Sequence, residues 1–563
     1  MKRYSENASD RYSYVGEVYS IGEEYRKKEI LSSLPKEWSD LHKKGFIHIH
    51  DLDAYGLTYN CLTLDILRDF PYERFTGLSQ TRKIICVFEY LKNLFTDVGN
   101  EQSGGMALAN FDNDIATILK NLEVELTDTN KELIGDCISQ LINWCNHTHT
   151  RSGRTSYYVT FNIGLAKNEL ARFLARTLVA EYDKGGALVY KPNIVFKVKA
   201  GVNRYEDDPN FDLYNEALLC TARKMIPTYV LCDSEPNKDV NPEKLAIMGC
   251  RTRVVANLFG EESSIGRGNV VNASINLPRI AILIEREMKN LSEDGKMKAF
   301  QEKWDQIAEI TKNILLDRFN KTCKRKTQDF PINSTHHLWK EDFECVSSVL
   351  RHGTISLGFI GLSEAMEILF KKRFYEDPQV YSYSIAFVNH MREYCNFLRN
   401  HYKLNFSLLA TSGELISGRF TELDKAEFGE EYPIFEKGFY TNSFHINVDS
   451  GLSGFKKIKL EGAFHQLCNG GCITYVELGE SPLSNSEGLR EYVECAIESG
   501  VHYLGFNFPK DVCNSCGVSG VFDKCPECNS ESITRIRRVS GYLEILDGFT
   551  RGKKNEEKAR RAN

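Results

Sequence analysis

The sequence predicts an α/β fold, and two observations support this prediction. Short stretches that alternate or are rich in β-branched residues are separated by long stretches with helical periodicity along most of the 563 residues. Hydrophobic residues make up 42% and charged residues 26% of the chain. These proportions are ordinary for a globular protein that buries a sizeable core.

The elements follow in order from the N-terminus. Apolar side chains recur at Tyr14, Val18, Ile21 and Tyr25 and predict a first helix. A short second helix is expected from Pro35 to Lys44, with Gly45 as its stop. A strand is expected from residue 46. Further helices are expected at 84–96, 131–147, 211–226, 296–323 and 377–403, and further strands at 155–165 and 193–202.

Charge and hydropathy exclude several classes of protein. The formal net charge of −6 is unsuited to a general nucleic-acid coat protein. The sequence contains no window of about 18 apolar residues and no N-terminal apolar segment, so neither a transmembrane helix nor a signal peptide is expected. Most of the 17 cysteines stand singly in apolar settings, as small buried side chains do. We therefore expect a cytoplasmic protein without a membrane or a stable nucleic-acid partner.

Four cysteines near the C-terminus have the spacing of a metal site. Cys513 and Cys516 form one pair, and Cys525 and Cys528 form a second. Two such knuckles bring four thiolates around Zn²⁺ in a tetrahedron, which leaves no open position and makes the metal structural. An iron–sulfur cluster is less suited to this spacing. A zinc-dependent nucleic-acid-binding protein is an alternative, although the intervening VSGVFDK offers few basic or aromatic residues.

Directly after this knot the chain reads RIRRVSGYLEILDGF, with Gly541 at its centre. A glycine in such a place is ordinarily a turn residue. Glycine is also the residue best suited to a stable backbone radical, because a Cβ would twist the plane over which the unpaired electron is delocalised. Both interpretations stay open on Gly541 alone.

The knot and the Arg-Val-Ser-Gly-Tyr-Leu segment together resemble the anaerobic (class III) ribonucleoside-triphosphate reductases, and the resemblance extends along nearly the whole chain. It implies a ten-stranded α/β barrel at 1–508, a zinc-binding module at 509–534, and a glycyl-radical loop with a basic tail at 535–563. It also implies reduction of ribonucleoside triphosphates to deoxyribonucleotides. A radical-SAM activating protein, with S-adenosylmethionine and a [4Fe-4S] cluster, would install the radical on Gly541.

Met248-Gly249-Cys250-Arg251-Thr252 resembles the segment of the family that carries the thiyl cysteine. The resemblance implies that Cys250 abstracts the ribose 3′-hydrogen. Gly266-Arg267-Gly268-Asn269 follows in family order, and Asn269 is expected to hydrogen-bond the ribose, with Asn276 in reserve.

Cys61 is by resemblance the second active-site cysteine, on the opposite face of the ribose. Members with this cysteine and the asparagine generally take electrons from formate, so formate is the expected reductant. His48 and His50 point the same way on a strand. Further metal ligands are not evident there, so site scaffolding or donation to formate is favoured over a metal.

Two more segments match the family. Thr441, Asn442 and Ser443 lie in one, and Gly470 and Gly471 in the other. Hydroxyls and backbone amides of such loops bind triphosphate oxygens. A homodimer with dNTP or ATP effectors is also expected. The family's N-terminal ATP-cone is not expected, because the catalytic part starts at Glu6. The tail from Arg551 is expected to be solvated, as a disordered segment or loose helix.

Another glycyl-radical enzyme of the lyase type is the main alternative within enzymes. Such lyases typically have adjacent cysteines or a different glycine motif, and they lack the zinc knot. Cys250 has no neighbouring cysteine, which disfavours an acyl-transfer lyase.

Overall fold

A computed structural model describes residues 6, 13–150, 156–249, 251–331, 333 and 346–562, and the statements below concern these residues. Its strands are β1 (Ile47–Ile49), β2 (Leu62–Leu64), β3 (Met106–Leu108), β4 (Val159–Ile163), β5 (Asn193–Val198), β6 (Thr228–Leu231), β7 (Ile247–Met248), β8 (Thr252–Arg253), β9 (Asn269–Asn276), β10 (Thr354–Ile360), β11 (Asn405–Ala410), β12 (Thr474–Glu477), β13 (Tyr503–Asn507), β14 (Lys510–Cys513), β15 (Ser519–Gly520), β16 (Ile533–Arg538) and β17 (Leu543–Ile545).

The α-helices in the described residues are Tyr14–Ser33, Lys36–Lys44, Ile66–Asp69, Gln80–Gly99, Phe111–Asn121, Asp128–His147, Glu169–Lys184, Phe211–Lys224, Leu277–Glu287, Glu293–Cys323, Ser347–Leu350, Leu362–Phe370, Pro378–Tyr402, Ile416–Phe428, Gly454–His465, Ser486–Glu498 and Arg551–Ala559. Gly45 ends the second helix with a positive φ of 81°, as its position predicts.

Two sheets form the centre of the molecule. The larger has the strand order β12-β13-β6-β5-β4-β3-β2, and the smaller has the order β1-β9-β10-β11. Strands β2 to β6 run parallel to one another, and so do β9, β10 and β11. Strand β13 is parallel to β12 but antiparallel to β6.

Hydrogen bonds join the two sheets at both edges. At one seam the Cys61 amide donates to the Asn269 carbonyl at 3.0 Å, and Asn60 pairs likewise with Val270, which is an antiparallel register. At the other seam Leu409 of β11 bridges Gly471 in parallel, just before β12. Strand β1 pairs with β9 alone, and the other ten strands of the two sheets follow one another in an order that returns on itself, which is consistent with the predicted barrel. The α/β class is confirmed.

The core follows from this arrangement. Every residue of β5, and every residue of β10 and β11, is buried, which is typical of strands covered on both faces. The amphipathic helices lie along the sheets; Gln80–Gly99, for example, buries its Leu91, Phe95 and Val98 side.

A two-stranded hairpin of β7 and β8 lies against the larger sheet. Its anchor is Asn162 of β4, which is fully buried. The Asn162 amide donates to the carbonyls of Leu108 and Ile247 at 3.0 and 3.2 Å, and its oxygen accepts from the Ile247 amide at 3.0 Å. A buried amide with all these bonds satisfied fixes the direction in which the hairpin leaves the sheet.

The C-terminal segment forms a separate sheet of order β15-β14-β16-β17. Strand β16 continues across the expected boundary at residues 534 and 535. It pairs with β14, which contains Cys513, and it ends three residues before Gly541. The expectation of a solvated tail is wrong for the described part: Arg551–Ala559 is a helix that buries Lys553 and Glu556. The Lys553 ammonium donates to Asn442 and Glu556, and Gly552 packs against Gly418, which explains the order.

Within the described residues, no helix combines the length and apolar character needed to cross a membrane.

A buried ion pair ties the helix Leu277–Glu287 to Ile416–Phe428. Arg279 and Asp424 have fully buried side chains and approach to 2.6 Å. We predict that Arg279→Met lowers the free energy of unfolding by about 3–5 kcal/mol, because Asp424 would stay buried without its cation. Urea denaturation followed by circular dichroism measures this. Arg286→Met, on the same helix, removes an exposed pair with Glu431 and should cost about 1 kcal/mol or less. Equal losses in the two variants would contradict the assignment.

Candidate active site

A cavity lies between the two sheets. Side chains or backbone from widely separated parts of the chain line it. They include His50 and Cys61 near the N-terminus, Gly249 and Arg251 of the β7–β8 hairpin, Asn269 of β9, and Tyr542 near the C-terminus. Concave sites of this kind, with a few convergent polar groups, are where ligands bind in proteins.

Cys61 lies at the antiparallel seam and is 8% exposed. Its thiol donates to the Asn60 side-chain oxygen at 2.6 Å, and the Asn60 amide nitrogen donates to Asp51 at 2.7 Å. The seam needs glycine at position 268, because a Cβ there would lie 1.7 Å from the Cys61 carbonyl oxygen. Close backbone contact therefore fixes where the thiol points.

Asn269 sits directly across this seam. Its side-chain amide hydrogen-bonds the hydroxyls of Ser356 at 3.0 Å and Thr354 at 3.3 Å on β10. Asn269, which we predict to bind the ribose, thus lines the cavity, and two hydroxyl groups already orient its amide. Its role toward a ribose stays a prediction.

Cys250 lies outside the described residues, but its two neighbours line the cavity at the tip of the β7–β8 hairpin. Asn193 donates to the Gly249 carbonyl at 3.2 Å, and the Arg251 guanidinium donates to the Ala410 carbonyl at 2.5 Å. Gly471 packs on the other side, where a Cβ would meet the Arg251 carbonyl oxygen at 2.2 Å. The hairpin tip is therefore held from β5 and β11 alike.

Gly541 is buried in a four-residue loop between β16 and β17. The loop closes with the Val539 amide donating to the Tyr542 carbonyl at 3.1 Å. Glu414 holds it from the barrel side, since its carboxylate accepts from the hydroxyls of Tyr542 and Ser540. Because Glu414 and Tyr542 both line the cavity, the loop tip reaches the same cavity as Cys61.

A second buried acid anchors the strand after the loop. Glu544 is 2% exposed and accepts from the Lys191 ammonium at 2.9 Å and the Tyr190 hydroxyl at 3.0 Å. On the strand before the loop, buried Arg538 donates to the carbonyls of Phe506 and Met225. Both ends of the loop are thus fastened to the barrel by charge-assisted hydrogen bonds.

The two predicted histidines reach one carboxylate. The Glu6 carboxylate accepts from His48 Nε2 at 3.0 Å, and its other oxygen lies 3.7 Å from His50 Nδ1. Burial lowers the pKa of His48 to about 4, so its ring is neutral near pH 7. His50 Nε2 hydrogen-bonds the Ser274 hydroxyl at 2.8 Å and lines the cavity, whereas His48 lies behind it.

The reserve ligand Asn276 is not among the residues that line the cavity. It caps the helix Leu277–Glu287, and its amide donates to the Gly45 carbonyl and to Asp424, both at 2.9 Å. These contacts already use the polar atoms of the Asn276 side chain to stabilise the fold.

The predicted phosphate loops lie next to the cavity without lining it. Thr441 donates to Glu364, and the Asn442 oxygen accepts from the Gly413 amide at 2.9 Å, one residue from Ser412 and Glu414 in the cavity wall. The Ser443 hydroxyl is buried and has no hydrogen-bond partner among the described residues. Gly470 packs against the Leu408 carbonyl. Phosphate binding by these residues stays a prediction.

The four-cysteine knot has the geometry of a zinc site. The Cys513 and Cys528 sulfurs lie 3.5 Å apart, as do those of Cys516 and Cys525, and all four sulfurs are within 4.8 Å of one another. A tetrahedron of Zn–S bonds of about 2.3 Å places sulfurs about 3.8 Å apart. The residues therefore fit Zn²⁺ with four protein ligands.

Several residues of the cavity were not predicted from the sequence, among them Arg251, Tyr542 and Glu414. The sequence marked Arg251 only as part of the cysteine segment and Tyr542 only as a neighbour of Gly541, and it did not mark Glu414. Glu414 lies in a loop after β11, 128 residues before Tyr542, which it contacts. A contact of that separation leaves no local pattern in the sequence.

Comparisons with known proteins agree with this geometry. The model of the anaerobic ribonucleoside-triphosphate reductase family matches residues 6–562. The Haemophilus influenzae anaerobic ribonucleoside-triphosphate reductase is 30% identical over 587 residues, which cover 96% of this chain and 80% of that protein. The bacteriophage T4 enzyme of the same name is 28% identical over 92% of this chain and 89% of its own length.

A solved anaerobic ribonucleotide reductase structure superposes with a TM-score of 0.76 at 15% identity, over 98% of this chain and 90% of that chain. At such identity the likeness shows the fold. Taken with the match along residues 6–562, it shows that this chain belongs to the family of anaerobic ribonucleoside-triphosphate reductases.

Proposed function

We propose that this oxidoreductase converts ribonucleoside triphosphates to 2′-deoxyribonucleoside triphosphates by glycyl and thiyl radical chemistry. One observation supports the proposal above others: a single cavity is lined by Cys61, by both neighbours of Cys250 and by the neighbour of Gly541. The lyase and nucleic-acid-binding alternatives gain no support from the family match. A solved relative, from Thermotoga maritima, is in complex with dATP and CTP.

The proposed cycle begins at Gly541. The Gly541 Cα radical takes the hydrogen atom of the Cys250 thiol, which leaves a thiyl radical at the hairpin tip. That thiyl takes the ribose 3′-hydrogen, and the 2′-hydroxyl then leaves as water after it gains a proton. Asn269, preoriented by Ser356 and Thr354, would hydrogen-bond the ribose hydroxyls.

Reduction needs two electrons and one hydrogen at C2′. The Cys61 thiol delivers a hydrogen atom to C2′ from the face opposite Cys250 and becomes a thiyl radical. Formate gives its hydrogen atom to that thiyl, which restores the thiol. The remaining CO2 radical anion passes one electron, together with a proton from solution, to the C3′ ketone and leaves as CO2, so that a C3′ radical forms again. Cys250 then returns the 3′-hydrogen, and Gly541 regains its radical. The net reaction consumes formate and a proton and releases water and CO2. His50 and Arg251 are the cavity groups with the charge and donors that suit a small carboxylate.

The knot has a supporting role in this scheme. With Zn²⁺ bound, Cys513, Cys516, Cys525 and Cys528 would fasten the turns of the C-terminal sheet. Strand β16 runs from that sheet into the Gly541 loop. The four residues would therefore hold the loop at its depth in the barrel.

Other parts of the scheme rest on the family resemblance. They are the radical-SAM activating partner with its S-adenosylmethionine and [4Fe-4S] cluster, the homodimer, the dNTP or ATP effectors and the cytoplasmic location. Because Gly541 is buried, the activating protein would have to meet the loop in a displaced position.

The proposed radical on Gly541 is tested by electron paramagnetic resonance after anaerobic incubation with the activating protein, S-adenosylmethionine and a reductant. We expect a glycine-centred doublet in the native chain and none in Gly541→Ala. Gly548→Ala, in the same C-terminal segment, should keep the doublet. An unchanged signal in Gly541→Ala, or none in the native chain with an activating protein that is demonstrably active, would refute the assignment.

We predict that loss of the Cys61 thiol leaves radical formation intact and blocks reduction of the substrate. Cys61→Ser should keep the glycyl doublet but reduce formation of deoxyribonucleotide at least 100-fold, because the hydrogen donor at C2′ is lost. Cys86→Ser, a partly buried helix cysteine outside the cavity, is the control and should be active. Product analysis with and without formate completes the test. Turnover by Cys61→Ser at the native rate, or turnover with a thiol protein and no formate, would contradict the proposed reductant.

Removal of one knot ligand should release the metal. We expect about one zinc per native chain by plasma mass spectrometry and almost none in Cys528→Ser, with Cys86→Ser again as control. The glycyl doublet of Cys528→Ser should also be weaker, since its loop loses support. A full equivalent of zinc in Cys528→Ser would show that the knot does not hold it.

A further inference from the structure

A second pocket, distinct from the catalytic cavity, opens at the opposite ends of β10 and β11. Thr354, Asn405 and Ser407 are among the residues that line it. Three arginines line it as well: Arg253 of the hairpin, and Arg392 and Arg399 of the helix Pro378–Tyr402. Of these six residues, the reaction scheme above uses only Thr354, which orients Asn269.

The two helix arginines face the barrel. They are seven residues apart, which puts them on one face of the helix two turns from each other. The same side carries the buried Met391, Cys395 and Leu398. Long cationic side chains usually extend from a core-facing stripe to solvent. Here Arg392 Nη1 and Arg399 Nε are instead buried, and neither atom has a hydrogen-bond partner within the part of the chain that the structure describes.

The positive charge of the pocket is not neutralised by carboxylates. Among the described residues, neither Arg392 nor Arg399 forms an ion pair or hydrogen bond, and Arg253 donates only to Asn237 and the Pro236 carbonyl. Glu262 is the acidic residue in the lining and lies beyond ion-pair distance of all three. Burial, and then the charge of Arg399, lower the pKa of Arg392. Three guanidiniums against one carboxylate leave a net charge of about +2.

We propose that this pocket binds a phosphate group, as free phosphate or as part of a nucleotide. Guanidinium groups are the preferred partners of phosphate oxygens because they donate in pairs from a rigid plane. The Ser407 and Thr354 hydroxyls add neutral polar groups to the lining, whereas the Asn405 amide already donates to the Arg351 and His352 carbonyls. A dianion would match the net charge.

The pocket shares a wall with the catalytic cavity. Thr354 lines the pocket and hydrogen-bonds Asn269, and Ser407 contacts Asn269 through Ser356, with 3.0 Å between the two serine hydroxyls. Arg253 is three residues from Cys250 on the same hairpin. A phosphate bound in this pocket would therefore stabilise the hairpin and Asn269 from the side that faces away from the catalytic cavity. A substrate phosphate in the cavity would not occupy that place.

Isothermal titration calorimetry of the full chain in phosphate-free buffer tests the proposal. The probes are inorganic phosphate, pyrophosphate and ATP. Arg392→Met and Arg399→Met should each weaken binding of at least one probe tenfold or more. Arg392→Lys should stay within about threefold of the native chain and shows that loss of charge, rather than misfolding, is responsible. Lys298→Met removes one exposed charge on the neighbouring helix and should stay within twofold.

The probes separate the two sources of phosphate. Equal arginine-dependent affinity for inorganic phosphate and ATP indicates free phosphate, and much tighter arginine-dependent binding of ATP indicates a nucleotide. A crystal soaked in tungstate should show an anomalous peak beside Arg392. Affinities for all three probes that are unchanged in both methionine variants, or tungstate only elsewhere, would overturn the proposal.

Discussion

Close backbone contact at two glycines is the constraint on which the candidate site depends. At Gly268 the chain passes so near the Cys61 carbonyl that a Cβ would lie 1.7 Å from its oxygen. At Gly471 a Cβ would lie 2.2 Å from the Arg251 carbonyl. The first contact sets Cys61 at one seam of the barrel, and the second sets the hairpin tip at the other. Side chains at either position would push apart the two walls of the cavity.

Buried charged side chains, rather than close backbone contacts, hold the Gly541 loop in place. Glu414 and Glu544 each accept from two groups across the interface between loop and barrel, and Arg538 donates to barrel carbonyls. Such contacts are directional and are lost together when the loop withdraws. This suits a loop that has to be fixed during turnover and displaced during activation. Hydrophobic packing alone would define its depth less sharply.

Many features of the molecule could be predicted from the sequence because each depends on a short, local sequence pattern. Fewer than 20 consecutive residues suffice to predict each of three features: helix ends such as Gly45, the knot of Cys513 to Cys528, and the Gly541 segment. The ring of strands and the role of Cys61 came from family resemblance. Glu414, Lys191 and the Arg392 pocket could not be predicted, since each depends on contacts between residues far apart in the chain. The solvated tail was wrong because its partners, Asn442 and Gly418, lie more than 100 residues upstream.

A structure of the anaerobic protein with a bound ribonucleoside triphosphate tests the central claim most directly. We expect the ribose to lie in the cavity between the two cysteines. The Cys61 sulfur should be within about 4 Å of C2′ and the Cys250 sulfur within about 4 Å of C3′ on the opposite face, as reacting groups require. A ribose bound outside this cavity, or two sulfurs on the same face of the sugar, would contradict the proposed reaction.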